Sequence, residues 1–241
     1  MEKVLIEELR ELEFQDLVPI IGGVEFSGDW YQVWRANVYL RTATRILVRL
    51  GEFPAVHLAQ LDKRAHRFPW QDHLKAQHPV RVEVVSRKSK IYHARAAAER
   101  IENAIIHTVG NRISKDSDIC IKVRIDKNLV KISIDSTGDG LHKRGYKSYT
   151  GKAPIRETLA AAFLRMCNFD PSEPLIDPMC GSGTFVIEAA EISVGMAPGR
   201  KRAFTFQKLK SFDSELFKML ISNYKMVPKL ESTFFGYDRD N

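Results

Sequence analysis

Residues 174–190, PLIDPMCGSGTFVIEAA, constrain the fold more than any other stretch of the chain. A short apolar run, Pro174 to Ile176, enters a turn holding Gly181 and Gly183 and leaves as the amphipathic segment from Phe185 to Ala190. Strand, glycine turn and helix in that order make the unit that α/β proteins use to hold a nucleotide-like ligand.

Three ligands compete for this turn. A phosphate-binding GxxxxGK[ST] loop needs a lysine after its last glycine, and here Thr184 follows Gly183, so the positive cradle for phosphates is missing. A dinucleotide fingerprint needs GxGxxG and an acid about 20 positions on. Gly181, Gly183 and Val186 give GxGxxV, and the acid at the end of FFGYD is Asp238, much farther along. S-adenosylmethionine fits better. The two glycines remove Cβ atoms where the methionine end approaches the backbone, and the opening amides of the next helix face its carboxylate. Asp177 can receive its ammonium and Asp238 its ribose hydroxyls. The loop residues Asp177, Pro178, Cys180, Gly181, Ser182, Gly183 and Thr184, with Asp238, are therefore the expected cofactor set.

Upstream, Leu5, Leu9 and Leu12 recur at helical spacing. LVPIIGGVEFSGD predicts a hairpin around Gly22 and Gly23, and Trp30 to Ala43 a second helix with Trp30, Trp34 and Val38 toward the core. RILVRL, VRVEVVS and the pair ICIKVRID and LVKISID alternate as strands, the last two joined at Lys127 and Asn128, with a long helix ending near Gly110 before them. Repeated strand and helix units of this size predict two small α+β modules ahead of the glycine turn. APIRETLAAAFLRMC predicts a helix with Pro154 in its first turn and Leu159, Ala162, Phe163 and Met166 on one apolar face.

The formal charge is +7, from 37 Lys plus Arg against 30 Asp plus Glu. Between Val84 and Lys152 fifteen bases face seven acids, so the excess lies in one third of the chain and predicts a phosphate-contacting surface. Its expected members are Arg87, Lys88 and Lys90 of SRKSK and Lys143, Arg144 and Lys147 of LHKRGYK, with Tyr92, Tyr146 and Tyr149 as candidate stacking groups. Three cysteines without a CxxC pair predict neither a disulfide framework nor a zinc ribbon, and seven histidines without HExxH predict no metal. The charged start MEKVLIEELREL and the lack of any apolar run of spanning length predict a cytoplasmic chain with no membrane contact.

DPMCGSGTFVIEAA, LHKRGYK, APIRETLAAAFL and FFGYDRDN, collinear over nearly the whole chain, resemble the THUMP-containing class I RNA methyltransferases, in particular the bacterial branch acting on guanine N2 of 23S ribosomal RNA. The resemblance implies an α+β RNA-binding region, ferredoxin-like over 1–60 and THUMP over 61–138, a basic linker over 139–153, and the first part of a Rossmann-like methyltransferase domain over 154–241. It implies S-adenosylmethionine as cofactor and structured RNA, ribosomal RNA above all, as partner. Family members open with a strand before the first helix, which this sequence does not show, so the first small sheet is expected to lack a strand. The family's Asn-Pro-Pro-Tyr motif, which holds the target amine, does not occur either. The expectation is thus a chain inactive by itself, with a non-catalytic THUMP-type RNA-binding module as the alternative.

Overall fold

The computed structural model describes residues 1–145, 154–222 and 233–239. It divides into two compact units: Met1–Thr44 with Asp139–Ala203 and Ser214–Asn241, and Arg45–Gly138 with Phe204–Asp213.

In the first unit, α1 (Glu2–Glu11) is followed by the hairpin β1 (Gln15–Ile20) and β2 (Gly23–Ser27), paired antiparallel as a two-stranded sheet. Gly22 turns the hairpin at φ +86°, a conformation glycine adopts without Cβ strain. Next comes α2 (Trp30–Tyr39), where Asp29 caps the start by accepting from the Gln32 amide at 3.0 Å. The helix stops at Tyr39, short of the expected Ala43. The carboxylate of Glu8, buried on α1, accepts the amides of Arg41 at 2.7 Å and Thr42 at 3.0 Å, which replaces the helical partners those groups would need.

The second unit is a four-stranded sheet of β3 (Leu47–Pro54), β4 (Val80–Arg87), β5 (Ile119–Asp126) and β6 (Leu129–Asp135) in the order β3-β6-β5-β4. Only β4 and β5 run parallel, and α4 (Ala94–Val109) makes the crossover between them that parallel pairing requires. With α3 (Leu58–His66) it covers one face. Ile119, Ile121, Ile125, Val130, Ile132 and Ile134 are all within 1% of full burial, as are Leu61, Ile101 and Ile105 on the helices. The alternate positions on β4, β5 and β6 carry Arg81, Glu83, Lys122, Arg124 and Lys131, so the period-2 pattern sorts greasy and charged side chains to opposite faces. Lys127 and Asn128, at φ +49° and +65°, form the tight two-residue turn that right-twisted strands accept. β3 pairs with β6, so the sheet unit begins at Arg45.

A segment distant in sequence completes this sheet unit. The Phe206 amide donates to the Ser136 carbonyl at 3.0 Å, the Lys210 amide to the His73 carbonyl at 3.1 Å, and Phe206 and Leu209 are fully buried.

The remaining elements belong to the first unit: α5 (Glu157–Met166), β7 (Leu175–Asp177), α6 (Thr184–Ser193), α7 (Ser214–Ser222) and β8 (Phe234–Gly236). Two details of α5 differ from expectation. Its N-cap is Arg156, so Pro154 precedes the helix and is not in its first turn. Its buried face is Thr158, Ala160, Ala161, Ala162 and Leu164, while Leu159, Phe163 and Met166 are 37%, 40% and 59% exposed. Small alanines let α6 approach closely, while Phe163 reaches α6 only at its rim, where its ring stacks on Phe185.

Candidate functional site

β7 and β8 pair in parallel, Leu175 to Phe234, Ile176 to Phe235 and Asp177 to Gly236, so the two loops leaving their carboxyl ends are neighbours. That is where an α/β sheet binds ligands. The backbone continues the pairing past the strands: the Tyr237 amide donates to the Asp177 carbonyl at 2.8 Å and the Cys180 amide to the Tyr237 carbonyl at 2.9 Å. The amide of Gly181 then donates to Oδ2 of Asp238 at 2.8 Å. The expected cofactor residues from the two ends of the set, 57 positions apart, are thus joined by a charge-assisted hydrogen bond.

Local geometry explains the glycines. Gly181 at φ +53° and Gly183 at φ +71° lie in the left-handed region, and Gly183 is the N-cap of α6 with no side chain capping the helix. The first-turn amides of such a helix point past its end, a preformed place for a carboxylate. A Cβ on Gly181 would project into open space, while one on Gly236 would come within 2.9 Å of Cys180 Sγ, 3.1 Å of its Cβ and 3.2 Å of Val186 Cγ2. One glycine leaves room for a ligand; the other lets β8 close on the loop.

A cavity of about 960 Å³ opens here, within the usual size of small-molecule sites. Asp177, Pro178, Cys180, Gly181, Ser182, Thr184 and Asp238 all line it, and Gly183 lies in the same loop. Asp177 is half-buried, with Oδ1 accepting from the Met179 amide at 3.1 Å. Thr184 is buried, its hydroxyl donating to the Ile155 carbonyl at 3.4 Å. The apolar wall is Ile155, Phe163, Ile176, Met179 and Phe185, with Phe163 and Phe185 stacked at 6.4 Å. Sequence reasoning missed these wall residues. The out-of-phase exposure of Phe163 depends on how α5 packs, which periodicity alone does not show.

The basic residues separate into two groups. Arg87, Lys88 and Lys90 are exposed at the end of β4 in the sheet unit. The Lys127 amide donates to the Arg87 carbonyl at 3.3 Å and the Lys90 amide to Asn128 Oδ1 at 2.9 Å, which brings the β5–β6 turn, with exposed Lys127, against them. Tyr92, 73% exposed, lies 4.1 Å from the His93 ring just beyond. Lys143 belongs to the other unit, exposed and paired with Asp139 at 3.0 Å. Lys147, Tyr146 and Tyr149 lie outside the described residues.

Arg144 corrects the expected phosphate set. It is 2% exposed, and its guanidinium donates to the Leu141 and Arg41 carbonyls, each at 2.8 Å, and to Glu188 at 3.2 Å. Its charge is satisfied inside the unit. The signal that sequence reading passed over is Glu188 itself, an acid in the otherwise apolar run TFVIEAA.

Among the described residues no group of three or more His, Cys, Asp or Glu side chains could hold a metal ion, and no helix is long and apolar enough to cross a membrane.

Family models match the chain in three consecutive pieces: an RlmL ferredoxin-like domain over residues 1–47, a THUMP domain over 55–135, and an RMKL-like methyltransferase domain over 144–241. The chain is 34% identical to the ribosomal RNA large subunit methyltransferase K/L of Vibrio cholerae, matching over all of its own length and 36% of that protein. It is 32% identical to a putative RNA methyltransferase of Synechocystis, of which it spans 65%. A crystal structure of SMU.472, a putative methyltransferase complexed with SAH, superposes with a TM-score of 0.88 at 31% identity, covering the whole of this chain and 66% of that one.

Proposed function

From a chain that belongs to the THUMP-containing class I RNA methyltransferase family, we infer that these residues bind S-adenosylmethionine at the glycine loop and grip structured RNA at the basic end of the sheet unit. The finer reading is that the RNA is 23S ribosomal RNA and the methyl acceptor guanine N2. The observation that carries the cofactor reading is the loop held between parallel β7 and β8 by the bond from the Gly181 amide to Asp238, facing a cavity of suitable volume.

S-adenosylmethionine supplies a methyl group on an already activated sulfonium, transferred by in-line displacement to the acceptor amine. The work left to the protein is alignment. Here the α6 N-terminus and the left-handed glycines receive the carboxylate end, Asp177 the ammonium, and Asp238 the ribose hydroxyls while it tethers Gly181. Phe163, Ile176, Met179 and Phe185 form an apolar wall along the ligand's path. Arg87, Lys88, Lys90 and Lys127 meet phosphates, which position RNA without reading its sequence; Tyr92 offers a face to an unpaired base.

Calorimetry with S-adenosylhomocysteine and anisotropy with a labelled ribosomal RNA hairpin test the two halves. Asp238→Ala is expected to abolish the heat of cofactor binding and leave RNA binding intact. Replacing Arg87, Lys88 and Lys90 with alanine should flatten the plot of log K against log salt by about 2 to 3, at about 0.7 to 0.9 for each phosphate no longer neutralised. An unchanged slope removes the RNA assignment. The alternative, a module that binds RNA without catalysis, is favoured by the basic cluster lying wholly within the sheet unit. It wins if the wild-type chain binds RNA with steep salt dependence and gives no heat with S-adenosylhomocysteine.

A further inference from the structure

α6 does two things at once. Its first turn opens onto the glycine loop, and its second carries Glu188, which is completely buried. Glu188 lies five positions beyond Gly183, about 7.5 Å along the axis, and does not line the cavity. It nevertheless accepts two arginines, Arg41 at 2.6 Å and Arg144 at 3.2 Å. One turn on, Glu191 pairs with Arg200 and with Arg41 at 3.8 Å. Arg41 also donates to the Met196 carbonyl just beyond the helix. Two acids on one helix thus meet three arginines from three separate stretches of chain.

Arg144 has the most directional role of the three. Its planar fork spans the Leu141 carbonyl, the Arg41 carbonyl and the Glu188 carboxylate, so one side chain fixes residues 139–145, the stretch after α2, and the cofactor helix against one another. Buried ion pairs of this kind are poor devices for stability, since taking the charges out of water offsets most of their attraction and apolar replacements often do as well. What a rigid fork provides that an apolar contact does not is a single rotation and axial position for the helix. Sub-ångström placement of the α6 amides is what a ligand at the helix end responds to.

We propose that Arg144 and Glu188 are a positioning pair for the cofactor site: out of reach of the ligand, they hold α6 in the register that presents its first turn to S-adenosylmethionine. The inference rests on the cofactor reading above. It also reassigns Arg144, within a basic sequence motif, from RNA contact to cofactor affinity.

The test uses Arg144→Lys, which keeps the charge and loses the fork, Arg144→Met and Glu188→Gln. Arg95→Gln, at a side chain 95% exposed on α4, is the control. Calorimetric Kd for S-adenosylhomocysteine is measured on the full chain, together with the melting temperature and amide hydrogen exchange. The expected result for Arg144→Lys is a Kd weakened about tenfold, faster exchange confined to residues 181–187, unchanged protection in β5 and β6, and wild-type affinity for the RNA hairpin. Should Arg144→Met fail to fold, Arg144→Lys and Glu188→Gln decide. A folded Arg144→Lys chain with Kd within twofold of wild type overturns the positioning role and leaves the cofactor reading standing. Absence of binding by the wild-type chain defeats both.

Discussion

Gly236→Ala isolates the closure of β8 on the glycine loop. No left-handed φ is required at Gly236, so alanine meets no backbone penalty there and the entire effect comes from contact. The new methyl would lie 2.9 Å from Cys180 Sγ, 3.1 Å from Cys180 Cβ and 3.2 Å from Val186 Cγ2, against an optimum of about 3.5 to 4.0 Å for such pairs. Something must give by roughly 0.6 Å on the sulfur side alone. Sγ can rotate about χ1, but the Cys180 backbone and its Cβ cannot retreat freely, because the amide is bonded to the Tyr237 carbonyl at 2.9 Å, and Val186 is fixed in the first turn of α6. Relief must therefore come from moving the loop or β8, which stretches the bond from Gly181 to Asp238. Overpacking of this size costs about 1 to 3 kcal/mol. With half of that falling on the ligand-ready loop, Kd for S-adenosylhomocysteine weakens roughly 2- to 12-fold, since about 1.4 kcal/mol corresponds to tenfold. Calorimetry on Gly236→Ala, Cys180→Ala and the double variant measures this. Removing the sulfur relieves the shortest of the three contacts, so the double variant should bind more tightly than Gly236→Ala does alone, a positive coupling. Equal affinity of Gly236→Ala and wild type, or strict additivity in the cycle, would refute the idea that β8 must close on Cys180 to shape the loop.

Other expectations follow from burial and titration. Phe206→Ala empties a fully buried site in the sheet unit and should lower its stability by about 3 to 5 kcal/mol, read as a shifted urea midpoint. Burial holds the half-buried His73 imidazole below its ordinary pKa, with Asp72 opposing. The unfolded chain therefore takes up this proton first, so the contribution of His73 is intact above pH about 6.5 and declines as pH falls below it. His73→Gln should flatten the loss of melting temperature between pH 7.5 and 5.5. Burial pushes the Cys120 thiol up to about 11, whereas Cys167 is exposed. Alkylation at pH 8 followed by mass spectrometry should label Cys167 in the native protein and Cys120 only in denaturant; equal rates would contradict the buried placement.

The sheet unit was legible because its strands alternate core aliphatic side chains with mostly charged ones. ICIKVRID can sort its side chains in just one way, and the Lys127–Asn128 turn fixes the register. The glycine loop was legible for a related reason: a left-handed N-cap and a close approach both demand glycine, and few other structures do. α5 was read with the wrong face inward because Leu159, Phe163 and Met166 look like a core stripe, whereas tight packing against α6 favours the alanines beside them. Arg144 was misplaced because a basic motif carries no mark of burial; its partner Glu188 lies 44 positions away, and their meeting depends on how three segments converge. Asp238 was picked as a ligand acid, but its bond to the Gly181 amide arises from the parallel pairing of β7 and β8, a long-range fact that local patterns do not carry.

The strap of residues 204–213 gives the molecule a schedule during synthesis. The last strand of the sheet unit is complete at Asp135, yet the segment bearing Phe206 and Leu209 is synthesised in full only at residue 213, some 75 residues after Gly138. At roughly 5 to 20 residues per second, the nascent sheet waits about 4 to 15 s with an apolar socket uncovered. During that interval a chaperone or a neighbouring nascent chain can occupy the socket.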